Sequence, residues 1–492
     1  MDDDRMDLYA LNRAIDDEGT NNSQAGSDSM AYINFPTDDD GSSYDGLDIS
    51  DNSDQTALYQ GVTIGAGCLV LLLLLEAGCM SMVSTIISGN SPLQLVYDNV
   101  ALFLMEMVTY ACFFLLYLHA QGSPRRTKIT MATIVLYNLL LLSLGQYNEE
   151  NTITWYAQSS IMLGNGHLPL YIVVLYSMLY YVAYITTCRL HLQDYASAFT
   201  FTLIVVVLAF PIELLGPKFI FWTFHDTEPT LNDRFLSVPI AVLLAHIASA
   251  FAFYSCYAGV IALGLAGHTY IPEKAILEHV YPVIAVTLAI PFSVLYFTLL
   301  FHLLTELLLI EPNIVLLAFI TLFVGIIWAC DRLGGDLDPP QIPPWVYDGE
   351  WTLVWYDHAI VQAVCLYVLL TFVLVLSVNP TRLTSLSFHQ QIGDCSIQTS
   401  YTSLLATTQT RFKYLCRADY DEEFTFCNVP FSRLHTYEPW YAVCGRRYPH
   451  KTFPNYFVCL LISFVTTLIG FRAAYSNVRP AFAQRFLPQK AA

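Results

Sequence analysis

An all-α bundle that crosses a membrane about ten times is the fold that three observations in this 492-residue sequence predict. Hydrophobic residues make up 55% of the chain and charged residues 13%, about half the charged share of a soluble domain. Mean hydropathy reaches +0.47. The apolar residues are also gathered into blocks of roughly 20, the length a helix needs to cross a hydrocarbon core. Together these exclude a soluble cytosolic enzyme, and the net charge of -19 excludes the basic footprint of a nucleic-acid binder.

The charge is concentrated at one end. Residues 1–57 hold 15 of the 41 acidic residues against two basic ones, among Ser, Asn and Gly, with little to bury. This composition predicts a disordered acidic tail. The tail has neither the basic start nor the short apolar stretch of a cleaved signal peptide, so the first membrane helix is expected to act as an uncleaved anchor.

Scanning in windows of about 19 residues places spans near 59–87, 95–119, 129–146, 169–188, 196–216, 236–264, 280–302, 312–330, 357–379 and 456–474. Nine belong to a bundle over 58–379, followed by an extramembrane segment at 380–455, a last span at 456–474 and a basic tail at 475–492. Arg125, Arg126 and Lys128 after the second span, with Arg472, Arg479, Arg485 and Lys490 after the tenth, predict that both ends are cytoplasmic by the positive-inside rule. The organelle and the oligomeric state are not legible.

The 380–455 segment falls on the opposite side and holds Cys395, Cys416, Cys427 and Cys444. Up to two disulfides are expected there, and all three pairings are open. No C-x-x-C occurs among them, which disfavours a zinc knuckle.

Ionisable residues inside apolar helices are costly, so each marks a candidate site. Glu76 lies in the first span, Glu106 in the second, Glu213 near the end of the fifth and His246 in the sixth. His167, His225, Asp226, Glu228, His302 and Glu306 stand at the non-cytoplasmic ends. In the ten-span topology the group falls at the midplane or in the outer half, where it predicts an outward-opening polar cavity. Tyr176, Tyr180 and Tyr184 recur every four residues along the fourth span and add a stripe of hydroxyls. Such a stripe packs helices or lines a cavity for an amphipathic ligand. His302 and Glu306, four residues apart, suit a shared ligand or a capped helix end.

The densest stretch is P-I-E-L-L-G-P-K-F at 211–219 followed by F-W-T-F-H-D-T-E-P at 221–229. Pro211 and the Gly216–Pro217 pair are expected to kink and then stop the fifth helix. Trp222 and its neighbouring phenylalanines form an interfacial belt. A carboxylate beside an imidazole, as in Asp226 and His225, is material for proton transfer near neutral pH, for a metal site completed by another helix, or for a rigid hydrogen-bonded turn. On this reading His225, Asp226 and Glu213 are candidate catalytic groups, with no metal or other cofactor assigned. His167, Trp222, His246, Tyr176 and Tyr180 are candidate contacts for an amphipathic lipid or isoprenoid. Glu76 and Glu106 form the relay of an alternative, a proton-coupled transporter, and a non-catalytic scaffold is the third class. A weaker group on the opposite side, Asp331, Arg332, Trp345, Trp351, Trp355, Asp357 and His358, reads as an interfacial segment.

The strings H-L-P-L-Y at 167–171, R-L-H-L at 189–192 and W-T-F-H-D-T-E-P at 222–229, with Val238–Pro239, resemble the central block of an uncharacterised family of eukaryotic multi-pass membrane proteins. That resemblance carries no chemistry. A fainter one links Glu213, Gly216, the aromatic turn and the later Val-Pro to prokaryotic membrane proteins of carotenoid biosynthesis, and it implies an isoprenoid substrate class. No P-loop, Rossmann fingerprint, H-E-x-x-H or G-x-S-x-G is present, so ATP-driven pumping and the familiar hydrolase routes lack support.

Overall fold

A computed structural model describes residues 87–123, 125–146, 152–190, 192, 194–265, 277–333, 355–402, 408–416, 423–430, 437–449 and 451–476. The predicted first span, with Glu76, and the acidic tail lie outside them. Within them a short helix α1 (Pro92–Asp98) precedes nine long ones. These are α2 (Val100–Gly122), α3 (Arg125–Gln146), α4 (Leu170–Arg189), α5 (Asp194–Leu215), α6 (Ile240–Leu265), α7 (Leu277–Phe297), α8 (Pro312–Leu333), α9 (Ala359–Ser377) and α10 (Phe453–Ser476). Each is long and apolar enough to cross a bilayer, α7 together with a π-helical continuation over Thr298–Leu307. The protein is therefore an all-α polytopic membrane protein.

Successive helices run up and down, which sorts the connections onto two faces. One carries the C-terminal ends of α2, α4, α6 and α8 and the N-terminal ends of α3, α5, α7 and α9, and is termed the basic-loop face. The other carries the 216–239 turn and the 380–452 segment and is termed the domain face. Side chains cross-link each face internally: Asn99 before α2 donates to the Phe219 carbonyl after α5 at 2.8 Å, while His119 near the end of α2 meets Tyr181 of α4 at 2.9 Å.

Helices α4 and α5 form the centre. In their apolar windows 83% and 72% of residues are buried, against 17% in α8, which marks α8 as a lipid-facing helix. Pro211 sits inside α5, where it removes the hydrogen bond to the Val207 carbonyl four residues back. Neighbouring helices supply donors instead: Ser463 Oγ of α10 reaches Val207 O at 3.3 Å and Tyr367 OH of α9 reaches Leu208 O at 3.0 Å. Such replacement is what lets a proline persist in a membrane helix.

The domain face is knitted by short antiparallel pairs. Strand β1 (Ile87–Ser88) pairs with β3 (Met162–Leu163), and β3 with β4 (Leu168–Pro169). Strand β2 (Thr154–Tyr156) pairs with β5 (Trp222–Phe224), and β6 (Arg234–Phe235) with β7 (Val238–Pro239). Above them, residues 380–452 are not a plain loop. Strands β8 (Thr384–Phe388), β11 (Phe424–Thr425) and β12 (Trp440–Gly445) form a sheet in the order β11-β12-β8, beside a hairpin of β9 (Gln398–Thr402) and β10 (Thr408–Phe412). Disulfides join Cys395 to Cys416 and Cys427 to Cys444, one of the three pairings left open by the sequence.

Candidate functional site

The chain leaves α5 through a helix-stop motif. Phe221 N–H donates to Gly216 O at 2.8 Å and Ile220 N–H to Pro217 O at 3.3 Å, with Ile220 at φ 54° in the left-handed position that glycine normally fills. Gly216 is required by packing: a Cβ there would stand 2.2 Å from the Trp222 ring. The turn so formed has two surfaces, one facing down into the bundle and one facing up to the disulfide-bonded segment.

The downward surface meets a hydrogen-bonded triad. Glu213 Oε1 accepts from Tyr176 OH at 2.5 Å and contacts His246 Nε2 at 2.7 Å. The Glu213 side chain is 3% exposed and that of His246 14%. Tyr176 and His246 each lie about a turn and a half inside the domain-face end of their helices, roughly 9 Å deep at 1.5 Å per residue. Tyr156 of β2 is also near enough for the Glu213 carboxylate to help burial push its phenol pKa up. Tyr180 continues the network through Ser249 Oγ at 3.1 Å, and Tyr137 OH reaches the Ser249 carbonyl at 2.9 Å and Ser293 Oγ at 2.7 Å. Four residues named from the sequence, Glu213, His246, Tyr176 and Tyr180, thus come together on α4, α5 and α6.

Other named residues go elsewhere. Glu106 is wholly buried but accepts from Tyr110 OH at 3.1 Å and from the Ser160 hydroxyl at 3.0 Å, apart from the triad. His302 and Glu306 bond each other at 2.8 Å along the π-helical segment. The polar groups near the domain face are therefore divided among separately bonded sets. Glu76 lies outside the described residues.

The upward surface is a docking seam. Arg411 of β10 pairs with Glu228 at 2.6 Å, both side chains no more than 5% exposed. Lys218, fully buried, pairs with Glu423 and lies over the rings of Tyr448 and Tyr456. Thr223 Oγ1 bonds His389 Nδ1 at 3.0 Å, Phe412 N–H donates to Thr227 Oγ1 at 3.2 Å, and the His167 ring stacks on Phe388 at 4.5 Å.

His225 and Asp226 lie within this seam. Gln390 Oε1 accepts the Asp226 N–H at 3.1 Å, so its amide nitrogen faces His225 Nε2, also at 3.1 Å. Thr227 N–H faces His225 Nδ1 at 3.3 Å. A neutral imidazole can accept from one of these two donors and an imidazolium from neither, so the surroundings favour the neutral ring. Burial, aided by the Arg411 charge, lowers the His225 pKa to about 3. The Asp226 side chain is 0% exposed, with His225 Nδ1 at 3.5 Å. Burial raises its pKa; Gln390, Cys416 and Thr227 offset part of that rise without reaching hydrogen-bonding geometry with either oxygen. A neutral imidazole with so low a pKa is a weak base near neutrality.

Sequence reasoning missed Arg411, Gln390, His389, Lys218 and Glu423. The available signal was the eight basic residues of the 380–455 segment, which a membrane-topology reading sets aside as a long-loop exception. Among the described residues no group of three or more His, Cys, Asp or Glu side chains is arranged to hold a metal ion.

A family model described as a domain of unknown function, DUF7802, matches residues 79–475. The chain belongs to that family. Its matched region spans the described helices, the triad, the turn and the disulfide-bonded segment together, so family membership covers the site as a unit. Comparison with curated proteins and with solved structures gives no match.

Proposed function

We propose that this DUF7802 protein binds an amphipathic lipid or isoprenoid within the bundle and performs acid–base chemistry on its polar end at Tyr176, Glu213 and His246. The observation that carries this reading is the buried Glu213 oxygen shared between a tyrosine hydroxyl and an imidazole. That arrangement holds a carboxylate, a phenol and an imidazole at fixed hydrogen-bonding geometry inside the bundle, the set that general acid–base chemistry requires. With Nε2 committed to Glu213, Nδ1 of His246 is the ring nitrogen left for an incoming group. The edge of His246 is the least covered part of the triad and adjoins exposed Ala245 on the flank of α6, which suits a ligand arriving from hydrocarbon. The resemblance to carotenoid-biosynthesis proteins suggests the isoprenoid class. Trp222 and Tyr180 frame the site, and His225, Asp226 and His167 serve to seat the disulfide-bonded segment above it. The two disulfides favour a non-cytoplasmic domain face.

The test is lipid analysis of protein purified from its membrane. A stoichiometric lipid in the wild type that is lost in Glu213→Gln is expected. An identical lipid complement in both proteins removes the reading.

The tyrosine stripe favours a second reading, proton-coupled transport. Below Tyr180, Thr130 Oγ1 meets Tyr257 OH at 2.6 Å near the basic-loop face, with the Tyr184 ring against Tyr257. Phe253 stands between the two hydroxyl groups, packed on both Tyr180 and Tyr257. This apolar ring interrupts a hydroxyl path and ranks transport second. Proton flux in proteoliposomes that is abolished by Glu106→Gln reverses the ranking.

A further inference from the structure

On the basic-loop face, four helix ends bring together a cationic cluster that the proposed site does not use. Arg189 ends α4, His119 lies in the last turn of α2, His358 is the N-cap of α9, and Tyr475 lies at the end of α10. Arg189 Nη2 donates to His358 Nε2 at 2.6 Å, and its guanidinium carbon lies 4.6 Å from the centre of the Tyr475 ring. The His119 and His358 ring centres are 5.4 Å apart, with both residues buried.

Among the described residues the cluster carries a positive charge and no carboxylate. Lys218, Arg411 and Arg125 each meet a carboxylate, Glu423, Glu228 and Glu278 respectively. No carboxylate among the described residues pairs with Arg189, and its Nε is buried without a hydrogen-bond partner. A guanidinium stays ionised under all ordinary conditions, so among the described residues this charge has no carboxylate partner, which is costly where water is scarce. His358 does not relieve it. Its Nε2 faces the Arg189 donor and its Nδ1 faces the Ile360 N–H at 3.4 Å, and a neutral imidazole has a single lone pair for the two, so it offers no further acceptor. The N-terminus of α9, at the same spot, adds the positive end of a 19-residue helix dipole. An arginine that only completed its own helix terminus would bond the last carbonyls of α4; this one crosses to α9 and α10 instead.

We infer that the Arg189, His358 and Tyr475 cluster is a binding site for a phosphate group on the basic-loop face. A tetrahedral oxyanion supplies the missing acceptors, and the guanidinium fork matches it. Its immobile ring support on Tyr475 holds the fork in place. The same chemistry is offered by an anionic lipid headgroup and by a soluble phosphate, so both are probed.

The experiment measures the unfolding midpoint and the native mass spectrum of the full-length protein in nanodiscs of an uncharged galactolipid that carries no phosphate. It does so with phosphatidic acid added to the bilayer, with inorganic phosphate added to the buffer, and with chloride at matched ionic strength. A rise with phosphatidic acid alone, and a retained adduct, identifies a lipid headgroup. A rise with inorganic phosphate as well, or alone, identifies the free phosphate group as sufficient. In Arg189→Gln the affinity is expected to fall by roughly tenfold or more. Arg189→Lys keeps the charge without the fork and is expected to bind more weakly than wild type; it carries the mutational test if the glutamine variant does not fold. The inference is overturned by an equal rise with chloride, by no rise with either phosphate probe, or by an unchanged rise in the folded Arg189 variants.

Discussion

Glu213 and Asp226 are both buried carboxylates with a histidine close by, thirteen residues apart on one strand of chain, yet the protein treats them oppositely. Glu213 accepts from Tyr176 and lies 2.7 Å from His246. Asp226 has no hydrogen bond to either oxygen, and its histidine is surrounded by donors. The lesson is that burial beside an imidazole does not by itself make an acid–base site. What distinguishes the two is whether the surrounding groups hydrogen-bond the carboxylate, as Tyr176 does at Glu213, or leave both oxygens without a partner, as at Asp226.

The largest expected effect separates the seam from the triad. Glu228→Ala removes the carboxylate that faces buried Arg411, and is expected to cost about 3–5 kcal/mol. The drop in unfolding midpoint is to be measured in detergent, together with limited proteolysis of residues 380–455, which detaching the segment will accelerate. If the segment stays protected, the seam is not what holds it. Gly216→Ala drives a methyl group into the Trp222 ring between the seam and the triad. A loss of about 1–3 kcal/mol is expected, and an unchanged midpoint would show that the turn yields easily.

Glu213→Gln sharpens the comparison from below. It replaces the acceptor of two short bonds by an amide, with an expected loss of about 1–2 kcal/mol and loss of the bound lipid. If lipid persists with the stability loss alone, Glu213 is structural. Asp226→Asn is expected to have the opposite sign, stabilising by about 1 kcal/mol above neutral pH, because it removes an unsatisfied buried charge.

The smallest effects are in pH dependence. The folded Asp226 pKa is raised above its unfolded value of 3.8, so its contribution to stability is complete below that value. The contribution is lost as the pH rises through the folded pKa. The folded His225 pKa is lowered from 6.5 to about 3, so its contribution is complete above 6.5 and is lost as the pH falls from there towards 3. The gain from Asp226→Asn therefore shrinks on acidification, and His225→Asn flattens the acid side alone. Unfolding midpoints across the pH range decide this, and parallel curves for all three proteins would sink the assignment.

Much of the architecture was legible because hydrocarbon imposes a simple rule on composition. The predicted eighth span, 312–330, coincides with the start of α8 at Pro312, and Pro211 and Gly216 shape the end of α5 as proline and glycine must. The seventh span was drawn at 280–302 but runs from Leu277 to Leu307 through a π-helical stretch. Hydropathy is blind to that change, since α and π turns bury the same residues in lipid. Glu213, His246, Tyr176 and Tyr180 were each visible as polar groups in apolar helices, but not as partners. His225 and Asp226 stood out for adjacency, although their environment comes from Gln390 and Arg411, more than 160 residues away.

What the sequence by itself determined is the all-α membrane-spanning class, the approximate position of the apolar helices among the described residues, the acidic composition of the tail and the residues whose polarity is costly in lipid. Each of these follows from local composition and the thickness of a bilayer. Only the tertiary structure decided which cysteines pair, which carboxylate receives donors and which cation has no acid beside it among the described residues. Those outcomes depend on distances between segments far apart in the chain, and no local pattern encodes a distance.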